Sequence, residues 1–158
     1  MIKLIAVGKV KEPYLTAAIL EYSKRLSPYT RLEMIQVPDE KCPENLSEAL
    51  KQQVTEKEGR QILSHIADRD YVISLEIRGK RMDSEEFASH LEMLRTKGRS
   101  EIAFVIGGSL GLSREVSERA DLRLSFSDMT FPHQLMRVIL LEQIYRSFKI
   151  AKHEPYHK

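Results

Sequence analysis

Two loops in the second half of the chain contain residue types that suit a small ligand. Residues 102–106 form a short apolar run that predicts a buried strand, and the run ends at Gly107 and Gly108. Glycines let a ligand approach main-chain atoms that a Cβ would cover. The order Gly-Gly-Ser-Leu-Gly, ending at Gly111, is neither a dinucleotide fingerprint nor a P-loop. It predicts either a site formed by main-chain groups or simply a tight turn.

The second loop, residues 127–131, follows another predicted strand, residues 122–126. Pro132 stands directly after it, where a helix is expected to begin. In open α/β sheets, ligands bind beyond the carboxyl ends of the strands. The two loops are therefore expected to lie side by side and to form a pocket.

Side chains that could act on a substrate lie just beyond these loops and at the end of the chain. His133 and Arg137 start the last predicted helix, and the sequence ends in Pro-Tyr-His-Lys, residues 155–158. Imidazole titrates near neutral pH, guanidinium binds phosphate, and an aromatic ring can stack on a base. Simpler interpretations exist for each. His133 could cap the helix or hydrogen-bond in the core, Arg137 could form a surface ion pair, and chain ends are often frayed.

Strands and helices alternate along the sequence, which predicts an α/β fold with a mostly parallel sheet in one domain over residues 1–158. Asn45 with Glu48 predicts the start of the second helix, and Asp83 with Glu86 predicts that of the third. The predicted strands are 2–7, 32–37, 71–77, 102–106 and 122–126, and the predicted helices are 13–26, 47–67, 83–97, 113–119 and 132–151.

The composition excludes several classes of protein. The single Cys42 cannot form an intrachain disulfide, and no Cys/His cluster suggests structural zinc. No stretch approaches the roughly 20 apolar residues of a membrane span. The first residues are typical of a strand and lack the features of a signal peptide. We expect a cytoplasmic protein without a metal and without a membrane partner.

Basic residues concentrate at the two ends of the chain. Residues 1–31 carry six Lys and Arg against two acidic residues, and residues 129–158 carry five against two. The middle of the chain carries fourteen against nineteen. If the two ends fold together, they form a basic face that suits a phosphate-rich partner. Solvated surface lysines are the simpler alternative.

The last predicted helix is apolar around most of its circumference. Such a helix needs burial on more than one side. One side is expected to pack on the sheet, and the other predicts a second subunit in a homodimer. The alternative is a helix enclosed in the core of one chain. The apolar residues are Leu135, Met136, Val138, Ile139, Leu140, Leu141, Ile144, Tyr145, Phe148 and Ile150.

Several segments together resemble the bacterial RlmH family, the small SPOUT-class methyltransferases that methylate N3 of a pseudouridine in large-subunit ribosomal RNA. These segments are IGGSLGL, LSFSDMTFPHQLMRVILLEQIYR and the terminal PYHK, with VGK, PDEK and SLEIRGK earlier in the chain. The resemblance covers essentially the whole chain. It implies a C-terminal trefoil knot, which general rules of chain topology disfavour. It also implies S-adenosylmethionine as the cofactor and 23S ribosomal RNA in the ribosome as the partner.

The resemblance also implies a set of site residues. Leu75 could equally be a core residue of its strand. For the acceptor side the candidates are His133, Arg137 and the tail, in which Tyr156, His157 and Lys158 are expected to close over the partner subunit's site. The residues expected around the cofactor are Leu75, Gly107, Phe126, Ser127, Asp128, Met129, Thr130 and Phe131.

Methyl transfer from a sulfonium requires positioning of donor and acceptor more than a metal or a covalent nucleophile. N3 of pseudouridine is an imide nitrogen, so a base, or a cation that stabilises its anion, should help. Two other classes compete with the methyltransferase. One is a non-catalytic ribosome- or RNA-binding protein of the same fold, which the basic ends favour. The other is a flavodoxin-like or nucleotide-dependent enzyme, which the α/β pattern alone permits.

Overall fold

Parallel strands form the centre of the fold. The computed structural model describes all residues 1–158, and its five strands pair in the order β2-β1-β4-β3-β5, every pair parallel. The predicted α/β class with a parallel sheet is confirmed. The elements are β1 Ile2–Val7, α1 Pro13–Leu26, β2 Leu32–Val37, α2 Glu48–Ser64, β3 Tyr71–Arg81, α3 Ser84–Thr96, β4 Ile102–Ile106, α4 Arg114–Arg119, β5 Leu122–Ser125 and α5 His133–Ala151.

The sheet separates two hydrophobic cores. Every residue of β4 is buried, as a strand covered on both faces should be. Phe104 faces the larger core, which is formed with α1, α3 and α5, whereas Val105 faces the smaller one under α2 and α4. Successive side chains of this central strand therefore point into different cores, as the alternation of side chains along a strand requires.

Helix α5 packs on the larger core between α1 and α3. Leu140, Leu141 and Ile144 are fully buried, and no residue of α5 is classed as exposed. Much of the apolar circumference of this helix is therefore covered within one chain. The composition of α5 alone is a weaker argument for a second subunit than the sequence suggested, and the homodimer stays a prediction.

Local hydrogen bonds set the helix ends. The predicted capping box of Asp83 and Glu86 is confirmed at the start of α3. Helix α2 begins later than predicted, because the hydroxyl of Ser47, not Asn45, caps it by accepting from an amide of the first turn. It ends before residue 67, since the Ala67 amide donates to a carboxylate oxygen of Asp70 at 2.9 Å.

Strand β3 extends beyond its predicted end at Ile77. Leu75 and Lys80 both pair with Leu124 of β5, so residues 76–79 leave the ladder between them. At Gly79 an added Cβ would lie 2.7 Å from a main-chain carbonyl of β5, which explains a glycine at this close approach. The pairing order does not itself define threading, and the trefoil knot stays a prediction.

Three further features concern the chain as a whole. No helix combines the length and apolar character required to cross a membrane. No group of three or more His, Cys, Asp or Glu side chains is placed to hold a metal ion. The two ends of the chain do meet, since the Lys11 amide donates to the Gln134 side chain at the start of α5 at 3.1 Å.

Candidate active site

The carboxyl ends of β3, β4 and β5 surround a cavity of about 390 Å³. The glycine loop after β4 and the polar loop after β5 form adjacent walls, as predicted, and the first turn of α5 closes the cavity. This is the edge at which parallel α/β sheets bind ligands. The lining residues are Leu75, Glu76, Ile77, Ile106, Gly107, Gly108, Ser109, Leu110, Gly111, Leu112, Leu124, Phe126, Ser127, Met129, Thr130, Phe131, His133 and Met136.

Most of the residues predicted to surround the cofactor lie around this cavity. Asp128 does not line it, because its exposed carboxylate pairs instead with the Arg81 guanidinium. This placement therefore does not support the predicted contact between the Asp128 side chain and the cofactor. The predicted residues that do line it are Leu75, Gly107, Phe126, Ser127, Met129, Thr130 and Phe131.

The glycine loop is a tight turn, and its main-chain atoms also line the cavity. The Gly111 amide donates to the Gly108 carbonyl at 3.1 Å, and Gly111 has a φ of 81°. A Cβ on Gly107 would lie 2.8 Å from the Gly111 carbonyl group, closer than real Cβ atoms approach. The sequence predicts either a site formed by main-chain groups or a tight turn, and the same residues form both the turn and a wall of the cavity.

The structure adds lining residues that the sequence did not single out. Ser109, Leu110 and Leu112 belong to the glycine loop, so its boundaries alone could have included them. Glu76 follows Leu75 and accepts a hydrogen bond from the Ser74 hydroxyl at 3.0 Å, and is the only carboxylate in the lining. All of these residues lie within the segments IGGSLGL and SLEIRGK, but the place of Glu76 at the cavity depends on where β3 leaves the ladder, which the sequence does not report.

His133 lines both this cavity and a neighbouring groove. Neither simpler interpretation of it holds, since its side chain neither caps α5 nor makes a hydrogen bond within the chain. Burial and the nearby Arg137 cation lower the pKa of His133, and Asp39 opposes them in part. The imidazole is therefore neutral at neutral pH and able to accept a proton.

Arg137 is completely buried, which the sequence did not predict. One guanidinium nitrogen, Nη2, donates to the carbonyls of Val7 and Gly8 at 2.7 and 2.9 Å, while Nε and Nη1 are buried without a partner. Burial lowers the pKa of Arg137. The predicted surface ion pair or phosphate contact is thus not available in this fold. Arg137 instead joins the first turns of α5 to the end of β1.

The C-terminal tail lies on α5 of its own chain, away from the cavity. The Tyr156 hydroxyl donates to Glu142 Oε1 at 3.1 Å, and Arg146 Nη1 lies 3.0 Å from His157 Nδ1. Burial and the Glu142 carboxylate raise the pKa of Tyr156 to about 12. Neither Tyr156 nor His157 lines the cavity, so one chain does not bring the predicted tail residues to His133.

Comparison with known proteins defines the class of this chain. Residues 1–157 match the family described as "Predicted SPOUT methyltransferase", and the chain belongs to that family. It is 59% identical to "Ribosomal RNA large subunit methyltransferase H" of Carboxydothermus hydrogenoformans and 60% identical to the protein of that name from Bacillus thuringiensis subsp. konkukian. Each alignment covers 99% of both chains. Within the SPOUT class, the chain is therefore a member of the RlmH family.

Solved structures support the fold independently. A probable methyltransferase from Bordetella pertussis Tohama I matches with a TM-score of 0.54 at 12% identity, over 92% of this chain and 95% of that one. A putative methylase family protein from Neisseria gonorrhoeae matches with a TM-score of 0.52 at 13% identity, over 91% and 81%. These matches confirm the predicted fold. Membership of the SPOUT methyltransferase family confirms the prediction of an S-adenosylmethionine-dependent methyltransferase.

The cavity suits this cofactor. Its wall consists mainly of apolar side chains and loop main chain, and no Lys or Arg is among the lining residues. A sulfonium cation would therefore meet no like charge, and Glu76 supplies the one acidic group. Main-chain donors and acceptors of the two loops are available for polar parts of the cofactor.

Proposed function

We propose that this chain uses S-adenosylmethionine to methylate N3 of a pseudouridine in 23S ribosomal RNA on the assembled ribosome. The name of its relatives supports a large-subunit ribosomal RNA substrate. The motifs shared with the RlmH family support the particular atom and nucleoside in this proposal. The observation that carries the proposal is structural: the cofactor cavity shares a wall, which includes His133, with an open groove.

The bound cofactor supplies an electrophilic methyl group. We assign to His133 the removal of the N3 proton, because its neutral imidazole lies on the shared wall and makes no hydrogen bond within the chain. Arg137 is a positioning residue in this scheme. Its bonds to Val7 and Gly8 hold the first turns of α5, and therefore His133, against the loop after β1.

The proposal includes a homodimer in which the tail of one subunit completes the site of the other. Two placements support it. In one chain, Tyr156 and His157 lie against Glu142 and Arg146, outside the cavity. The groove on the acceptor side of that cavity is open to the surface, so a partner's tail has room to close over a substrate held there.

Transfer of labelled methyl tests the proposed function. Ribosomes lacking the modification, and free large-subunit RNA, are incubated with the protein and labelled S-adenosylmethionine, and the nucleosides are then separated. We expect label in N3-methylpseudouridine on ribosomes and none on free RNA. Label in a different nucleoside would overturn the assigned target. No label on either substrate, with cofactor binding intact, would favour the non-catalytic ribosome-binding protein.

A further inference from the structure

A groove of about 570 Å³ opens beside the cofactor cavity, towards the start of α1. Gly108, Ser109, Thr130, Phe131 and His133 line both spaces, so the cavity and the groove are separated only by this shared wall. The rest of the groove is formed by Glu12, Tyr14, Leu15, Pro132 and Gln134. A molecule in the groove therefore lies next to His133 and to the glycine loop.

Tyr14 differs from every other tyrosine of the chain. Its side chain is 69% exposed, and it makes no hydrogen bond within the chain and no aromatic pair. The other five tyrosines each contact a further aromatic ring. A large unpaired ring in a groove is the feature by which proteins hold unstacked nucleic-acid bases. Phe131, 37% exposed, presents a second ring in the same groove.

The charges beside the groove suit the same ligand. Lys9 and Lys11 are exposed on the loop between β1 and α1, and neither forms an ion pair. The Lys11 amide bonds to Gln134, which lines the groove, so this loop is fixed at its rim. Glu12 is the one acidic residue in the lining. Two unpaired cations on a loop that borders an aromatic groove match a nucleotide, which combines a flat base with phosphates.

We infer that this groove holds the acceptor nucleotide of the RNA, with its base stacked on Tyr14 and its flanking phosphates near Lys9 and Lys11. The inference rests on the proposed function and adds the residues that hold the substrate. Stacking on Tyr14 requires a base that is out of its helix, since only an unstacked base offers a free face.

The test compares Tyr14→Ala, Tyr14→Leu and Tyr14→Phe with the wild type on ribosomes lacking the modification. Removing a stacking ring should lower kcat/KM for ribosomes by roughly five- to 150-fold in the Ala and Leu variants. Phe should retain most activity, because it keeps the ring. Affinity for S-adenosylmethionine, measured by calorimetry, should not change. A loss in Phe equal to that in Ala, or wild-type kcat/KM in Ala, would overturn the inference.

The two lysines are tested by salt dependence. The double variant, with Lys9→Gln and Lys11→Gln, should bind ribosomes more weakly than the wild type. The slope of the logarithm of the binding constant against the logarithm of the salt concentration should also become shallower, by about 0.7 for each lost phosphate contact to single-stranded RNA. Lys97→Gln is the control, since Lys97 is exposed and unpaired at the end of α3 and does not line the groove. Equal salt slopes in the double variant and in the control would contradict the assignment of the lysines.

Two measurements separate this inference from its alternatives. Sedimentation equilibrium of the Tyr14 variants reports subunit association, and a loss of association in Tyr14→Ala would assign the groove to a second copy of the chain instead. Cosedimentation with ribosomes reports binding without catalysis. If the wild type transfers no methyl, the proposed reaction fails. In that case, weaker ribosome binding by Tyr14→Ala would still support the nucleotide site. Ribosome binding equal to that of the wild type would overturn it.

Discussion

At the scale of single residues, the proposed reaction depends most on the environment of His133. It is the only titratable side chain that lines both the cofactor cavity and the groove. Burial and the Arg137 cation act together on its pKa, so the proton-accepting form dominates at neutral pH. An imidazole on the wall between the cofactor cavity and the groove, without a hydrogen bond within the chain, is free to accept a proton from a substrate atom.

The pH dependence of transfer follows from this environment. Because the pKa of His133 is lowered below 6.5, kcat/KM for ribosomes should fall only when the pH drops below that value, as the imidazole becomes protonated. His133→Gln should lower kcat/KM by about 10²- to 10⁴-fold and remove this acid limb. Rates of labelled-methyl transfer between pH 5 and 8 measure both effects. An identical acid limb in the variant would assign proton removal to another group.

Gly111 and Gly98 form a matched pair for the glycine loop. Both have positive φ, 81° and 76°, and an added Cβ would meet nothing within 4 Å at either. Alanine at each should lower the free energy of unfolding by about 1–2 kcal/mol, because left-handed backbone strains an L side chain. Only Gly111→Ala should weaken S-adenosylmethionine binding, since only Gly111 lines the cavity. Urea unfolding and calorimetry measure the two effects, and equal cofactor affinities would contradict this role.

At the scale of elements, Arg137 couples α5 to β1. Arg137→Ala leaves the Val7 and Gly8 carbonyls without this donor and creates a cavity, and should lower the free energy of unfolding by about 2–4 kcal/mol. Arg137→Met should lower it less, because it keeps the volume and removes a buried cation with two unpartnered nitrogens. Urea unfolding gives these values, with Arg60→Ala on the exposed face of α2 as the control. An Ala variant as stable as that control would show that the coupling contributes little.

The same elements show what the sequence can and cannot predict. Helix α1 and strand β4 have the predicted bounds, because apolar spacing and flanking Pro or Gly are local signals. The end of β3 depends on pairing with β5, more than forty residues later, which no local pattern reports. The burial of Arg137 likewise depends on two carbonyls at the other end of the chain. The two loops of the cavity and the local capping box of Asp83 and Glu86 could be predicted, but partners distant in the sequence, such as those of Arg137, could not.

At the scale of the whole molecule, the fold joins the two basic ends of the sequence. The loop after β1 carries Lys9 and Lys11 and is bonded to Gln134, so it lies beside the polar loop after β5. The two ends of the chain therefore meet, which was the condition for a basic face, and the loop that carries these two unpaired cations borders the groove. The tail, in contrast, lies on the far part of α5, so the role proposed for it requires a second subunit.

Complementation between two inactive variants tests that role. A chain lacking residues 155–158 keeps His133 and its cavity, and a His133→Gln chain keeps its tail. If the tail completes the partner's site, a mixed dimer contains one site with both parts, so mixing the variants should restore transfer to a fraction of the wild-type rate. The truncated chain alone should still bind S-adenosylmethionine, because neither Tyr156 nor His157 lines the cavity. If the tail acts within its own chain, a mixed dimer has no complete site, and the mixture should stay as inactive as its components.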